Sequence, residues 1–147
     1  MEDFMSLKKQ LCFAIYETSS EFTKLYAKVL QEFGLTYTQY LVLLALWEKD
    51  AVTVKELGEK LNLGTGTLTP MISRMESNGW VTKNRSTEDE RRVYIRLQSK
   101  AVTEKRRITE RVGREIAACK IEIEEYEQLM RQLTRLNQKL KSTRSFN

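Results

Sequence analysis

The stretch AVTVKELGEKLNLGTGTLTPMISRMESNGW, residues 51–80, decides the fold. Thr53 opens a Thr-x-x-Glu pattern with Glu56. This is the mark of a capping box, in which a hydroxyl and a carboxylate satisfy the first unpaired N–H groups of a helix. VKELGEKL then sets Val54, Leu57 and Leu61 on one face of a short helix. Asn62-Leu63-Gly64 breaks it. A second helix is predicted from about Thr65 to Ser77, ending at Asn78-Gly79. Pro70 lies inside that helix. A proline is costly in mid-helix but loses little within the first turn or so, so the helix must start late, near Thr65 or Thr67. Past Gly79 the apolar period becomes two. WVTKNR (80–85) and RRVYIRL (91–97) alternate through Trp80, Val81, Val93, Ile95 and Leu97, with polar STEDE as the tip between them. Helix, turn, helix and charged β-hairpin, in this order, predict a winged helix-turn-helix.

Outward from this centre the chain reads as helix. Leu7, Leu11, Ile15, Phe22, Leu25 and Val29 recur at steps consistent with one helix over 5–33, stopped by Gly34. Thr36 or Thr38 caps the next helix, where YLVLLALWEK is apolar nearly all round and belongs at the centre of a core. From about Ser99 to Leu140 a further stripe runs through Val112, Ile116, Cys119, Ile123, Tyr126, Met130, Leu133 and Leu140. A break is expected near residues 119–123, although no Gly or Pro marks it. The tail STRSFN reads as loose. The expected class is mainly α with a small β-hairpin wing, in a single domain over 1–147.

Composition narrows the function. With 147 residues and 41% hydrophobic content, one core is supported and two are not. Net charge is +5, but Arg131, Arg135, Lys139, Lys141 and Arg144 equal it by themselves, so bulk charge says little about nucleic acid. There is no histidine, and the cysteines are Cys12 and Cys119 alone. Histidine-based acid–base chemistry is excluded, and a four-ligand Cys/His zinc site cannot be assembled. The expectation is no enzyme, no catalytic residue, no metal and no cofactor. No apolar run approaches the ~20 residues of a membrane span, and MEDFMSLKKQ does not resemble a signal peptide. The reading is a cytoplasmic protein without a membrane partner.

The middle section suits double-stranded DNA. GTGTLTPMISR, residues 64–74, offers hydroxyls on Thr65, Thr67, Thr69 and Ser73, with Leu68 and Pro70 in the same stretch and Arg74 for phosphate or guanine. The hairpin brings Arg85, Arg91 and Arg92, and an arginine at a hairpin tip suits a narrow, electronegative minor groove. Any one of these threonines could be a cap, and any one arginine a solvated surface charge. The assembled order of elements favours DNA.

The sequence resembles the MarR family of bacterial transcription regulators over essentially its whole length. The resemblance rests on the wing motif Asp89-x-Arg91 within EDERRVYIRL. It implies that Arg91 enters the minor groove and that Asp89 braces it. The family's following Leu-Thr-x-x-Gly is degenerate here, as Leu97-Gln98-Ser99-Lys100-Ala101. It further implies a homodimer on a pseudo-palindromic operator. Residues 1–33 and 99–141 would dimerise and 36–98 would bind DNA, with the wing at about 80–97. Apolar stripes at both ends of the chain fit a dimer independently.

QLCFAIY and LTYTQYLVLLALWE further resemble the organic-peroxide-sensing branch, the OhrR-like and MgrA/SarZ-like regulators. That implies a redox-sensing Cys12 whose thiol is hydrogen-bonded by Tyr26 and Tyr37 of the partner subunit, with Tyr16 also matching. By spacing alone, Cys12, Tyr16, Ser19, Thr23 and Tyr26 step by four, three, four and three along one helix face. Bordering hydroxyls and a nearby helix N-terminus would favour the thiolate, which peroxide converts to sulfenic acid. The packing alternative stands, since a free cysteine is often a small buried hydrophobe. Cys119 sits between Ile116 and Ile123, where packing is a strong reading; the resemblance makes it a resolving partner in an inter-subunit disulfide. The expected function is a homodimeric DNA-binding regulator, a repressor by the family's habit, switched by organic hydroperoxide at Cys12. A second reading keeps the DNA binding and gives the switch to a small phenolic or anionic ligand held by Tyr16, Tyr26, Tyr37, Tyr40 and Trp47, with the cysteines structural. A thiol peroxidase that turns over is disfavoured, because there is no Cys-x-x-Cys and no thioredoxin-like βαβ pattern.

Overall fold

The computed structural model describes residues 2–145. The chain divides into two compact units, Met1–Val112 and Gly113–Asn147.

In the first unit, short 3-10 turns at Glu2–Met5 and Leu7–Lys9 precede helix α1, Leu11–Leu30, which tightens into a further 3-10 turn at Gln31–Phe33. The single helix expected over 5–33 is therefore several pieces. Gln10 is extended (φ −82°, ψ 126°) and restarts the chain, while the apolar spacing continues across the restart and hides it. Gly34 ends the segment at φ +68°, and Leu35 N–H donates back to the Leu30 carbonyl at 3.3 Å, a helix stop that favours glycine. Helix α2, Tyr37–Glu48, begins on a complete capping box: Thr36 Oγ1 accepts from Gln39 N–H at 3.2 Å and Gln39 Oε1 accepts from Thr36 N–H at 3.1 Å. Its apolar surface is buried on several sides, with Val42, Leu43 and Leu46 fully enclosed.

Strand β1 (Val52–Thr53), helix α3 (Val54–Leu61), helix α4 (Thr65–Ser77), strand β2 (Val81–Arg85) and strand β3 (Val93–Leu97) follow, and helix α5 starts at Ser99. The sheet is antiparallel in the order β1-β3-β2. The two-residue β1 escapes sequence reasoning because it is too short to show alternation. Asp50 fixes it: its Oδ1 accepts from Leu97 N–H at 2.9 Å and from Ala51 N–H at 2.8 Å. Trp80, Val81 and Ile95 close the core against Leu57, Leu68, Ile72 and Met75. Pro70 is deeper than the first turn, as the sixth residue of α4. The carbonyl it deprives of a partner belongs to exposed Gly66, where water can serve it.

The turn between α3 and α4 depends on two backbone positions. Asn62 adopts φ +55°, and Leu63 N–H donates to the Gly58 carbonyl at 2.9 Å. A Cβ on Gly58 would lie 2.8 Å from the Leu63 carbonyl oxygen. Alanine in a helix interior normally gains about 0.5–1 kcal/mol over glycine. Gly58→Ala is expected to reverse that sign and destabilise by about 1–3 kcal/mol, because backbone must move to admit the methyl. Urea unfolding of the two proteins checks it.

In the second unit α5 continues to Ala118 and helix α6 runs from Ile123 to Ser145. The expected break is present. It turns on Lys120 at φ +57°, an unusual choice that leaves no compositional mark. Most of the tail expected to be loose is the end of α6; Phe146 and Asn147 lie outside the described residues. Ile123, Tyr126, Leu129, Met130 and Leu133 are exposed along α6. Among the described residues, no helix is long and apolar enough to cross a membrane.

Candidate nucleic-acid interface and thiol site

The wing tip is built by Ser86 and Asp89. Ser86 N–H donates to the Arg92 carbonyl at 2.8 Å, and its Oγ accepts from the N–H groups of Glu88 (3.2 Å) and Asp89 (3.3 Å). Ser86 was not among the expected site residues; a serine opening a polar tip, with acidic residues following, is the signal that could have found it. Asp89 Oδ1 accepts from Arg91 N–H at 3.1 Å, while its Oδ2 faces Arg92 Nε at 3.9 Å. The aspartate thus braces the backbone of Arg91 and pairs with the side chain of Arg92. Arg85 spans the tip and donates to the Glu90 carbonyl at 2.8 Å. Among the described residues, the Arg91 guanidinium has neither ion pair nor hydrogen bond, so it is the tip's uncommitted cation.

Helix α4 presents Thr65, Thr67, Thr69, Pro70 and Arg74 to solvent. Leu68 corrects the expectation: it is fully buried and has no surface to offer DNA. Its position falls on the inner face of α4, one turn before Ile72 and close to Met71 and Met75, all of them buried. Ser73 is half-buried and turned to the hairpin, where its Oγ accepts from Lys83 Nζ at 2.8 Å. Between α3, α4 and the hairpin lies an open groove of about 860 Å³, with Lys55, Thr65, Thr69, Arg85 and Arg91 on its walls.

Cys12 is the second residue of α1 and is exposed. Its Sγ lies 3.9 Å from Gln10 Oε1, in donor geometry. The first turn of a helix carries unpaired N–H groups and the positive end of its dipole. Phe13 and Tyr16 stack at 6.3 Å, and Tyr16 is exposed. Tyr26 stacks on Tyr37 at 4.9 Å and on Tyr40 at 5.6 Å, and Trp47 meets Tyr40 edge-on at 6.4 Å. Burial, with Tyr37 alongside, raises the Tyr40 hydroxyl above the ordinary tyrosine value, so it stays neutral. Helical rise places Tyr26 about 21 Å along α1 from Cys12. Within one chain the thiol and the Tyr26–Tyr37 pair are therefore not brought together, and Tyr16 stands apart from the other aromatic residues of the ligand-pocket reading. Cys119, in the second unit, is also exposed, with Sγ donating to the Glu115 carbonyl at 3.5 Å. Neither thiol belongs to the chain's own core.

A helix-turn-helix backed by a three-stranded sheet with an arginine-rich hairpin defines a winged-helix transcription regulator. Residues 24–108 match the transcriptional regulator SarA/Rot family, and the chain belongs to that family. The organic hydroperoxide resistance transcriptional regulator of Bacillus subtilis (strain 168) is 54% identical over 95 residues, 65% of this chain and 65% of that protein. The chain thus spans just under two thirds of the length of that relative. AbfR of Staphylococcus epidermidis is similar over 97% of this chain and 96% of its own, at 34% identity and a TM-score of 0.81. A structure of reduced AbfR bound to DNA matches at 37% identity and TM-score 0.85 (97% and 99% covered). A disulfide-formed AbfR matches at 37% and 0.68 (97% and 94%). Wild-type MarR of E. coli shares the fold at 22% identity and a TM-score of 0.71, over 86% of this chain and 96% of that one.

Proposed function

We propose that this chain is a homodimeric DNA-binding transcription regulator whose affinity for a pseudo-palindromic operator is switched by oxidation of Cys12. The observation that carries the reading is the exposed thiol in the first turn of α1, at the exposed apolar end of that helix. Phe4, Leu7 and Leu11 beside it, and the exposed stripe on α6, are surfaces a second copy would cover. In that dimer residues 1–33 and 99–141 pair, and residues 36–98 hold the DNA. Recognition helix α4 enters the major groove through Thr65, Thr67, Thr69, Pro70 and Arg74, and Arg91 enters the adjacent minor groove. Tyr26 and Tyr37 of the partner subunit reach the thiol, which the same chain's Tyr26–Tyr37 pair cannot.

The chemistry needs only the thiol and the oxidant. The Cys12 thiolate attacks the outer oxygen of an organic hydroperoxide; the O–O bond breaks, an alkoxide leaves, and the cysteine becomes a sulfenic acid. A second thiol, Cys119 of the partner or a small cellular thiol, then attacks the sulfenic sulfur and releases water, leaving a disulfide. Either product changes packing where the helices pair, and two DNA heads that must fit half-sites together lose their spacing. AbfR lends this route support, since it has been seen reduced on DNA and in a disulfide form.

The test is a DNA-shift titration of reduced protein, with and without one equivalent of cumene hydroperoxide, beside a non-reducing gel. The expected result is loss of the shift on oxidation. A dimer-mass covalent band assigns Cys119 as resolver, and loss without the band assigns a one-cysteine switch. An unchanged shift with Cys12 still titrating as free thiol would overturn the redox reading and send the search to a ligand at the aromatic residues.

A further inference from the structure

The recognition helix and the wing are separate elements, and a winged helix can read two grooves together only if their spacing is fixed. Beyond the buried packing of α4 against Trp80, Val81 and Ile95, one polar cluster ties the two elements at the surface. Glu76, in the last turn of α4, accepts from Lys83 N–H of β2 through Oε2 at 2.7 Å, and its Oε1 lies 4.0 Å from Lys83 Nζ. Lys83 Nζ also donates to Ser73 Oγ at 2.8 Å. These contacts join α4 to β2 at a single residue of the hairpin. Lys83 pairs with Ile95 in the register and Arg85 with Val93, so the clasp lies two residue pairs below the last pair before the tip that carries Arg91.

The sign of the charge is informative. Glu76 bonds Lys83 on the wall of a groove that carries Lys55, Lys83, Arg85, Arg91 and Arg92 beside the carboxylates Glu56 and Glu59, and DNA there would bring further negative charge. For affinity alone its removal should help, because each carboxylate near phosphate repels it. A carboxylate placed there despite that cost is explained by its short bond to the Lys83 backbone, a charge-assisted bond of the stronger kind.

Resting on the DNA-binding reading above, we propose that Glu76 is a positioning residue that, through Lys83, holds the wing at a fixed distance from α4 and so aims Arg91. Glu76 touches no DNA in this scheme. It acts by denying the hairpin the freedom to swing, and Arg91 then meets the minor groove without first being ordered.

The experiment compares Glu76→Gln with Glu76→Ala on a DNA fragment selected from random sequence by the wild-type protein. Both variants remove the charge. The glutamine keeps an acceptor for Lys83 N–H and the alanine does not. Glu76→Gln is expected to bind within about twofold of wild type or tighter, and Glu76→Ala about tenfold more weakly, the scale of a lost charge-assisted hydrogen bond. The decisive readout is coupling: Arg91→Ala should cost several-fold less in the Glu76→Ala background than in wild type. If Glu76→Ala fails to fold by circular dichroism, Ser73→Ala reads the same coupling from the other side of the clasp. Equal or tighter binding by Glu76→Ala, or losses at Glu76 and Arg91 that simply multiply, would overturn the proposal. Failure of the wild-type protein to select any DNA overturns the DNA-binding reading instead.

Discussion

Arg91→Ala is expected to weaken operator binding by on the order of a hundredfold or more while leaving the fold intact. A base-reading arginine supplies about 1–3 kcal/mol, and a homodimer loses one from each wing. The geometry explains why this residue and not its neighbours. Arg85 is occupied by the Glu90 carbonyl, and Arg92 faces Asp89. The Arg91 guanidinium makes no bond within the described residues, and its backbone is pinned by Asp89 Oδ1 at 3.1 Å. Its charge is therefore unanswered within the tip and available to DNA, and its backbone is already fixed, so only the side chain is ordered on binding. The same comparison yields a second observable. Removing two cations that neutralise phosphate should make the plot of log affinity against log salt shallower by about 2. Arg92→Ala should lose much less affinity, because its charge is already partly answered by Asp89. Filter binding across a salt series separates these cases, and unchanged binding by Arg91→Ala would refute the wing assignment.

The wing was legible in the sequence because two physical signals coincide there. The apolar period changes from helical to two, and the tip is polar and charged, so helix content and strand content cannot be confused. The capping residues Thr36 and Thr53 were legible for the same local reason: Thr36 could be placed to within two residues, and each hydroxyl accepts from the N–H three residues ahead, although at Thr53 the Glu56 carboxylate does not return the bond and the expected capping box is only half formed. What escaped was set by tertiary contact. β1 exists because Asp50 reaches Leu97, 47 residues away in sequence. Leu68 lies among the threonines expected to face DNA, yet a helix face is only a few residues wide, and the inward turn of α4 claims this residue for the core. The restart at Gln10 escaped because extended backbone at one residue does not disturb a stripe of apolar side chains. A helix over 5–33 puts Cys12 in its third turn, which sits poorly with the helix N-terminus expected beside the thiol; a helix from Leu11 puts it in the first.

The position of Cys12 also sets the remaining prediction. Cys12→Ser is expected to abolish the response to organic hydroperoxide while leaving reduced-state DNA binding and thermal stability within experimental error of wild type. The substitution exchanges sulfur for oxygen at an exposed site in the first turn of α1, so no core contact is lost. Serine is well suited to a helix start, so the chain's own fold should lose no more than about 0.5 kcal/mol, and at the proposed dimer interface the hydroxyl still offers the partner's tyrosines a hydrogen-bond partner. The hydroxyl, however, is not oxidised by peroxide under conditions that convert a thiol to sulfenic acid. Stability and switching are thus separated by one atom. Cys119→Ser provides the complementary test. If Cys119 is the resolver, that variant still loses DNA on oxidation but forms no dimer-mass band, and it accumulates sulfenic acid detectable by dimedone. If a small thiol caps Cys12 instead, the Cys119 variant behaves as wild type in every respect. A Cys12→Ser protein that still releases DNA on peroxide treatment would remove Cys12 from the mechanism. The switch would then pass to Cys119, or to a ligand recognised at the stacked rings of Tyr26, Tyr37 and Tyr40.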